Sequence, residues 1–350
     1  MKKIHILESV RGFAAIYVLL HHLLDYKIST SKWIEFFFRF GQEAVMLFFL
    51  LSGFVIYYSF AKNPNQGFKE YFIRRSVRIF PIYILSLIIT YAVSCLNSQY
   101  FVNIGYIMSW GNLFMLQDMG GVKPGVWFGT PGNSALWSLA YEWWFYMLFF
   151  PIMKYIRIQR RLLSVAVLSL IGFASYIIFP NQISLYLTYF IIWWTGAEVA
   201  KAYSTGEKPS IPTMKVPVAV LGLFTALELA YVLFSWKVLH EQLRLGFHPF
   251  LELRHFVSAF LVVIIALCMS RKVWQAVDKI LLPFSFFAPI SYAIYVFHVP
   301  LSIGAEFLSF IKYPFFELII YMALTFGAAY VAEVQIQKWF NGVARKALQT

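Results

Sequence analysis

The chain of 350 residues is predicted to be an all-α, polytopic membrane helical bundle with about ten transmembrane helices. Three observations predict it. First, 60% of the residues are hydrophobic and only 13% are charged, about half the charged share of an ordinary soluble domain. Second, apolar runs close to the ~20 residues needed to cross a bilayer recur along the whole length. Third, Lys and Arg fall in short clusters between these runs. The net charge of +13 therefore reads as membrane topology, not as a nucleic-acid surface.

The expected spans are 4–25, 42–61, 79–97, 134–153, 162–179, 184–202, 217–235, 249–269, 281–300 and 315–335. The first follows Met1-Lys2-Lys3 and resembles a signal peptide. It contains Glu8, Arg11, His21 and His22, however, and no small-x-small cleavage site follows it, so it is expected to remain as a span. The second carries Ser52 and Gly53 at mid-length, small residues that allow close helix approach or leave room for a thin ligand. The third is entered through Arg74, Arg75 and Arg78, with Pro81 placed to kink it. Phe101–Leu116 is apolar but broken by Asn103, Gly105, Gly111 and Asn112. It is expected to be re-entrant or interfacial, within a Gly- and Trp-rich outer loop, 98–133, that is a candidate cap. No polar linker divides the chain, so 4–335 is expected to be one membrane domain, followed by a cytoplasmic tail, 336–350.

The positive-inside rule orients this layout. With both termini in the cytoplasm, the cytoplasmic loops hold clusters such as Arg74-Arg75-Arg78 and Lys154-Arg157-Arg160-Arg161. The outer loops hold fewer, including Lys27, Lys123, Arg244 and Arg254. Cys95 and Cys268 then lie near opposite faces, which argues against a disulfide, and neither has a metal-ligand spacing.

Arg11 and His22 are the most informative residues, because charge at bilayer depth costs at least ~2.5–3.5 kcal/mol. They are eleven positions apart, which puts them on one helix face and ~16 Å apart along the axis. That is the pattern of a helix lining a polar tunnel, with a cation at one depth and a proton-transfer group at another. Glu142 and His298 are expected at a similar outer depth to His22. A carboxylate beside an imidazole stabilises its protonated form and fixes its tautomer, as a general base requires. Glu142 is also readable as a helix–helix hydrogen-bond partner. His298, near Pro300, either caps the helix end or binds substrate, and His21 reads as structural. Arg75 and Arg78, three apart on one helix face, suit phosphate recognition as well as topological anchoring. The chain has no Walker loop, GxSxG elbow or HExxH motif.

Together these residues resemble the membrane acyltransferase-3 family. The resemblance rests on Arg11-x10-His22, on Phe-Phe-Leu-Leu-Ser-Gly-Phe at 48–54, and on Arg75-x-x-Arg78 before an Ile-x-Pro-x-Tyr run. It rests also on Ser138-Leu-x-x-Glu142-x-x-Phe-Tyr146 and on Ser291-Tyr-x-x-Tyr295-x-x-His298-x-Pro300. Where the family often has a second acidic residue after the glutamate, this chain has Trp143.

The resemblance implies acyl transfer, usually of acetyl, from cytoplasmic acyl-CoA to a hydroxyl of a surface polysaccharide or lipid-linked glycan. Lipopolysaccharide, capsule, peptidoglycan and macrolides are among the family's acceptors. The expected setting is a bacterial inner membrane. No permanently bound cofactor and no fused SGNH esterase-like domain are expected. His22 is the expected base, supported by Glu142. Arg11, Ser52, Arg75 and Arg78 are assigned to the donor, and Ser138, Tyr295 and His298 to the acceptor or to structure. The competing class is a transporter or flippase that uses Arg11, His22, Glu142 and His298 as a proton or solute path.

Overall fold

A computed structural model describes residues 5–28 and 31–348; Lys2 and Lys3, two of the expected cytoplasmic cations, lie outside the described residues. Among the described residues the chain is helical, with no β-strand. In order it forms α1 (His5–Tyr26), α2 (Lys32–Phe38), α3 (Gly41–Ala61), α4 (Phe68–Ser98), α5 (Ile104–Ile107), α6 (Trp110–Leu113) and α7 (Trp137–Tyr155). These are followed by α8 (Arg161–Ile178), α9 (Gln182–Ser204), α10 (Lys215–Lys237), α11 (Phe250–Cys268), α12 (Arg271–Leu281), α13 (Ser291–His298), α14 (Pro314–Tyr330) and α15 (Gln337–Ala347). Eight helical stretches among the described residues are long and apolar enough to cross a membrane. The two other expected spans are α7 and α9, whose Tyr and Trp content lowers their hydropathy. Both are interior helices, and α9 is buried along most of its length. A helix sheathed by other helices has no need to match lipid. The protein is a multi-pass helical membrane bundle.

The glycines explain the closest approaches. A Cβ on Gly53 would lie 2.0 Å from the Trp193 carbonyl oxygen, and one on Gly196 would lie 2.0 Å from that of Leu50. Gly53 therefore serves the α3–α9 contact, which leaves its neighbour Ser52 to face a cavity. Gly53→Val should force these helices apart and cost about 1–3 kcal/mol, read as a lower unfolding temperature in detergent.

Prolines shape two further elements. The expected span 281–300 lies within one continuous helical stretch, Arg271–Ile303, whose winding changes along its length. Leu282–Ile290 is a tight 3-10 segment containing Pro283 and Pro289, α13 follows, and Val299–Ile303 winds as a wide π turn around Pro300. Each proline removes a backbone donor, so the helix changes pitch there. By contrast, α4 runs unbroken through Pro81 for 31 residues, ~47 Å. The carbonyl that Pro81 leaves unbonded is that of Val77, and Gln337 Nε2 donates to it at 2.7 Å. The stretch after residue 335 is thus helical and tied to α4 at this point. Pro300 likewise frees the Val296 carbonyl, and Asn133 Nδ2 supplies the missing donor at 2.8 Å.

The segment between α4 and α7 is folded into the bundle. Asn112 is buried, donating to the Ile107 carbonyl at 2.6 Å and accepting on its own carbonyl from Tyr83 Oη at 2.6 Å. Gln182 of α9 accepts from the backbone of Trp127 and Phe128. Lys123, expected as an outer-loop cation, is wholly buried. It pairs with Asp118 at 2.9 Å inside a box of Trp137, Tyr141 and Tyr189 rings. Its charge is balanced there by a carboxylate to which Tyr141 also donates, at 2.6 Å. Lys123→Ala leaves Asp118 buried and unpaired, and should cost about 3–5 kcal/mol of stability. Lys123→Met with Asp118→Leu should recover most of that loss in the same unfolding assay.

Candidate active site

One cavity of about 390 Å³ runs between α1, α3, α4, α7 and α13. Arg11, Ser52, Arg75, Arg78, Ser138, Glu142 and Tyr295, each singled out in the sequence, all line it. Helix position orders them along the bundle. Arg75 and Arg78 lie toward the end expected to be cytoplasmic, with Glu8, Tyr58 and Ser59. Ser138, Phe48 and Tyr295 lie toward the other end.

Each guanidinium is held differently. Arg11 Nη2 donates to the Ala288 carbonyl at 2.8 Å, within the 3-10 segment. The approach is close because Gly12 has no side chain; a Cβ there would meet the Phe284 carbonyl oxygen at 2.0 Å. The 3-10 segment 282–290 thus presents a carbonyl to a cation at membrane depth. Arg78 donates to Glu333 at 2.7 Å and lies over the Tyr292 ring. Arg75 lies over the Tyr71 ring, and its Nε is buried without a hydrogen-bond partner. Arg11, Arg75 and Arg78 line the cavity together with Glu8 and Glu142, and Glu333 balances the charge of Arg78; the guanidiniums supply forked donors suited to an anion.

At mid-depth, Ser52 donates to Glu142 Oε1 at 2.6 Å, and Tyr146 donates to the same oxygen. Trp193 Nε1 donates to Ser52 Oγ at 3.1 Å. One turn outward, Ser138 Oγ and Tyr295 Oη are 2.7 Å apart, and the Phe48 ring packs against Tyr295. Beyond Tyr295 stand the imidazoles. The His298 ring centroid is 5.9 Å from that of Tyr295 and 5.2 Å from that of His22. Arg11 and His22 thus both face the interior, as their spacing requires. Arg11 lines the cavity, and His22 stands outward of its lining beside His298.

The expected partnership of Glu142 with His22 is not the one formed. Glu142 lies one turn from Ser138 toward the Arg75 end of the bundle, whereas His298 lies one turn from Tyr295 toward the opposite end. Since Ser138 and Tyr295 touch, Glu142 is ~10 Å deeper than the imidazole pair. The carboxylate binds Ser52 and Tyr146, and the side chains beside His22 include His298 and His21. Trp143, in the place of a second acid, packs on Phe80 and Phe72 of α4.

Two functional contacts were not foreseen. Tyr146 lies four residues after Glu142, on the same helix face, which was a readable signal for its hydrogen bond. Glu333 is an acid within an expected span, and the rarity of such residues was the cue to look for its partner.

A family model described as an acyltransferase domain matches residues 4–334. No curated protein and no solved structure matches the chain. The match spans nearly the whole bundle, including every side chain that lines the cavity and both imidazoles beyond it, and the protein therefore belongs to the acyltransferase-3 family of membrane acyltransferases.

Proposed function

We propose that the protein transfers an acyl group, expected to be acetyl, from cytoplasmic acyl-CoA to a hydroxyl of a surface polysaccharide or lipid-linked glycan in a bacterial inner membrane. One observation carries this reading: a single cavity has guanidiniums at one end and leads to a Tyr295–His298–His22 cluster at the other. CoA pairs a phosphate-rich nucleotide with a long thin arm ending in a thioester. Arg75, with its unpartnered Nε, is the foremost phosphate ligand. Arg78 assists while held by Glu333. The pantetheine arm passes Arg11 and Glu142, and the ~16 Å between Arg11 and His22 is comparable with its length.

In this reading His22 accepts the proton of the acceptor hydroxyl as its oxygen attacks the thioester carbonyl. The carbon–sulfur bond breaks, and the proton passes to the departing thiolate. Tyr295 and Ser138 stand at the boundary the thioester must reach. Glu142 shapes the donor channel through Ser52 and Tyr146. Its test follows from that position. Glu142→Gln should raise the KM for acetyl-CoA several-fold and leave the pH profile of kcat as in the wild type. A shifted profile with unchanged KM would return Glu142 to the imidazole.

The reaction class is tested with purified protein in detergent and radiolabelled acetyl-CoA. An acyltransferase releases CoA and moves label to a glycan acceptor without a gradient. A transporter would show activity only across a sealed membrane. The genomic neighbourhood of the coding sequence would identify the acceptor class.

A further inference from the structure

The imidazole of His298 is wholly buried, and its two nitrogens have different surroundings. Nδ1 is 2.7 Å from the Tyr295 carbonyl oxygen and 3.3 Å from that of Ile294. Both neighbours are acceptors only, so Nδ1 carries the proton and Nε2 carries the lone pair. Nε2 is buried with no hydrogen-bond partner. An orphaned acceptor away from water costs about 1–3 kcal/mol, so such an atom in a packed bundle calls for an explanation. The nearest ring able to use it is that of His22, with its centroid 5.2 Å away and its plane tilted by 31°.

The backbone holds this ring firmly. His298 closes α13, and the π turn of Val299–Ile303 begins immediately after it. Asn133 bonds the Val296 carbonyl that Pro300 leaves open. The Tyr295 ring, whose hydroxyl meets Ser138, also packs beside the imidazole. Helix, π turn and aromatic neighbour together hold the imidazole in place beside His22. Wide turns of this kind recur at functional sites.

We propose that His298 is the positioning residue for His22: its Nε2 accepts a ring N–H of His22, which fixes the tautomer of His22 and leaves the other nitrogen of His22 as the base. This rests on the acyl-transfer reading above, and it assigns to His298 the role that Glu142 is too deep to fill. When the acceptor oxygen bonds to the acyl carbon, its proton moves to the other nitrogen of His22. The resulting imidazolium is stabilised by the hydrogen bond it donates to His298. The thioester carbon–sulfur bond breaks, the same proton then passes to sulfur, and both imidazoles end neutral. No outside reactant is needed beyond acyl donor and hydroxyl acceptor.

The test uses the full chain in native-like membranes, with radiolabelled acetyl-CoA as donor and the endogenous glycan as acceptor. His298→Ala should lower kcat about 100-fold with the KM for acetyl-CoA within twofold. His298→Gln, whose amide oxygen offers an acceptor near the place of Nε2, should recover at least tenfold of that loss. A merely structural His298 would show no such recovery, and a donor-binding one would raise KM. Either outcome, or full activity in both variants, overturns the proposal. His22→Ala is run in parallel. If that variant is active, the reading of His22 as base fails. If it is inactive while both His298 variants are normal, only the present inference fails. Nitrogen-15 histidine spectra of the wild-type protein in lipid bilayers provide a readout that does not depend on any variant folding. His298 should be protonated on Nδ1, and a His22 N–H should be hydrogen-bonded to Nε2. A proton on Nε2 of His298 would overturn the proposal.

Discussion

His22→Ala is expected to abolish acyl transfer, with a loss of at least 100-fold, while expression and membrane insertion stay normal. The size of the effect follows from where the side chain stands. His22 shares a helix face with Arg11, faces inward beside His298, and lies just past the end of the cavity that Tyr295 closes. Removing a proton acceptor from that place leaves the attacking hydroxyl without a base. His21→Ala is the matched control. The His21 ring is tied to the Phe38 carbonyl at 2.7 Å and sits near Asp25, toward the outer end of α1. Its loss should lower stability more than turnover. Glycan acetylation, measured in cells that produce each variant, separates the two. Normal acetylation with His22→Ala, or an inactive His21→Ala alone, would move the base assignment elsewhere.

The second large effect is expected at the other end of the cavity. Arg75→Ala should weaken CoA binding by about tenfold to a hundredfold, the worth of a charge-assisted hydrogen bond of 1.5–3 kcal/mol. Arg75→Ala combined with Arg78→Ala should weaken it further. The two arginines differ in their side effects. Arg78 holds Glu333, whose side chain is only 4% exposed, so Arg78→Ala leaves an acid with little access to water and lowers stability as well. Adding Glu333→Gln to Arg78→Ala should restore the stability and not the affinity. Calorimetric titration of the purified variants with CoA reads affinity, and thermal unfolding reads stability. Unchanged affinity in the double variant would return both arginines to the role of topological anchors.

Much of this arrangement was legible in the sequence, for identifiable reasons. Intramembrane ionisable residues are rare enough that Arg11, Glu142, Arg75 and Arg78 stood out, and the structure gathers all four around one cavity. Helical periodicity was enough to place Arg11 and His22 on one face. Depth along different helices was harder to read. Glu142 and His298 had the right residue types to be neighbours, but a turn or two of error per span is enough to separate a carboxylate from an imidazole by ~10 Å. Span 281–300 was legible as an apolar span, but its changes of helical pitch were not, because hydropathy ignores the donors removed by Pro283, Pro289 and Pro300. Lys123 was misplaced for a related reason. A lone lysine in a loop reads as solvated, and only the fold reveals Asp118 and three aromatic rings around it. The patches on Val77 and Val296 by Gln337 and Asn133 join residues too distant in sequence for any local pattern to connect.

The central claim is that the donor lies along the Arg75-to-His22 axis. A structure of the purified protein with a non-hydrolysable thioether analogue of acetyl-CoA measures this directly. The account predicts nucleotide phosphates at Arg75 and Arg78, the arm passing Arg11 and Glu142, and the acyl carbonyl at the Tyr295–His298–His22 cluster. A nucleotide bound at the opposite end of the bundle, or an arm lying outside this cavity, would contradict it.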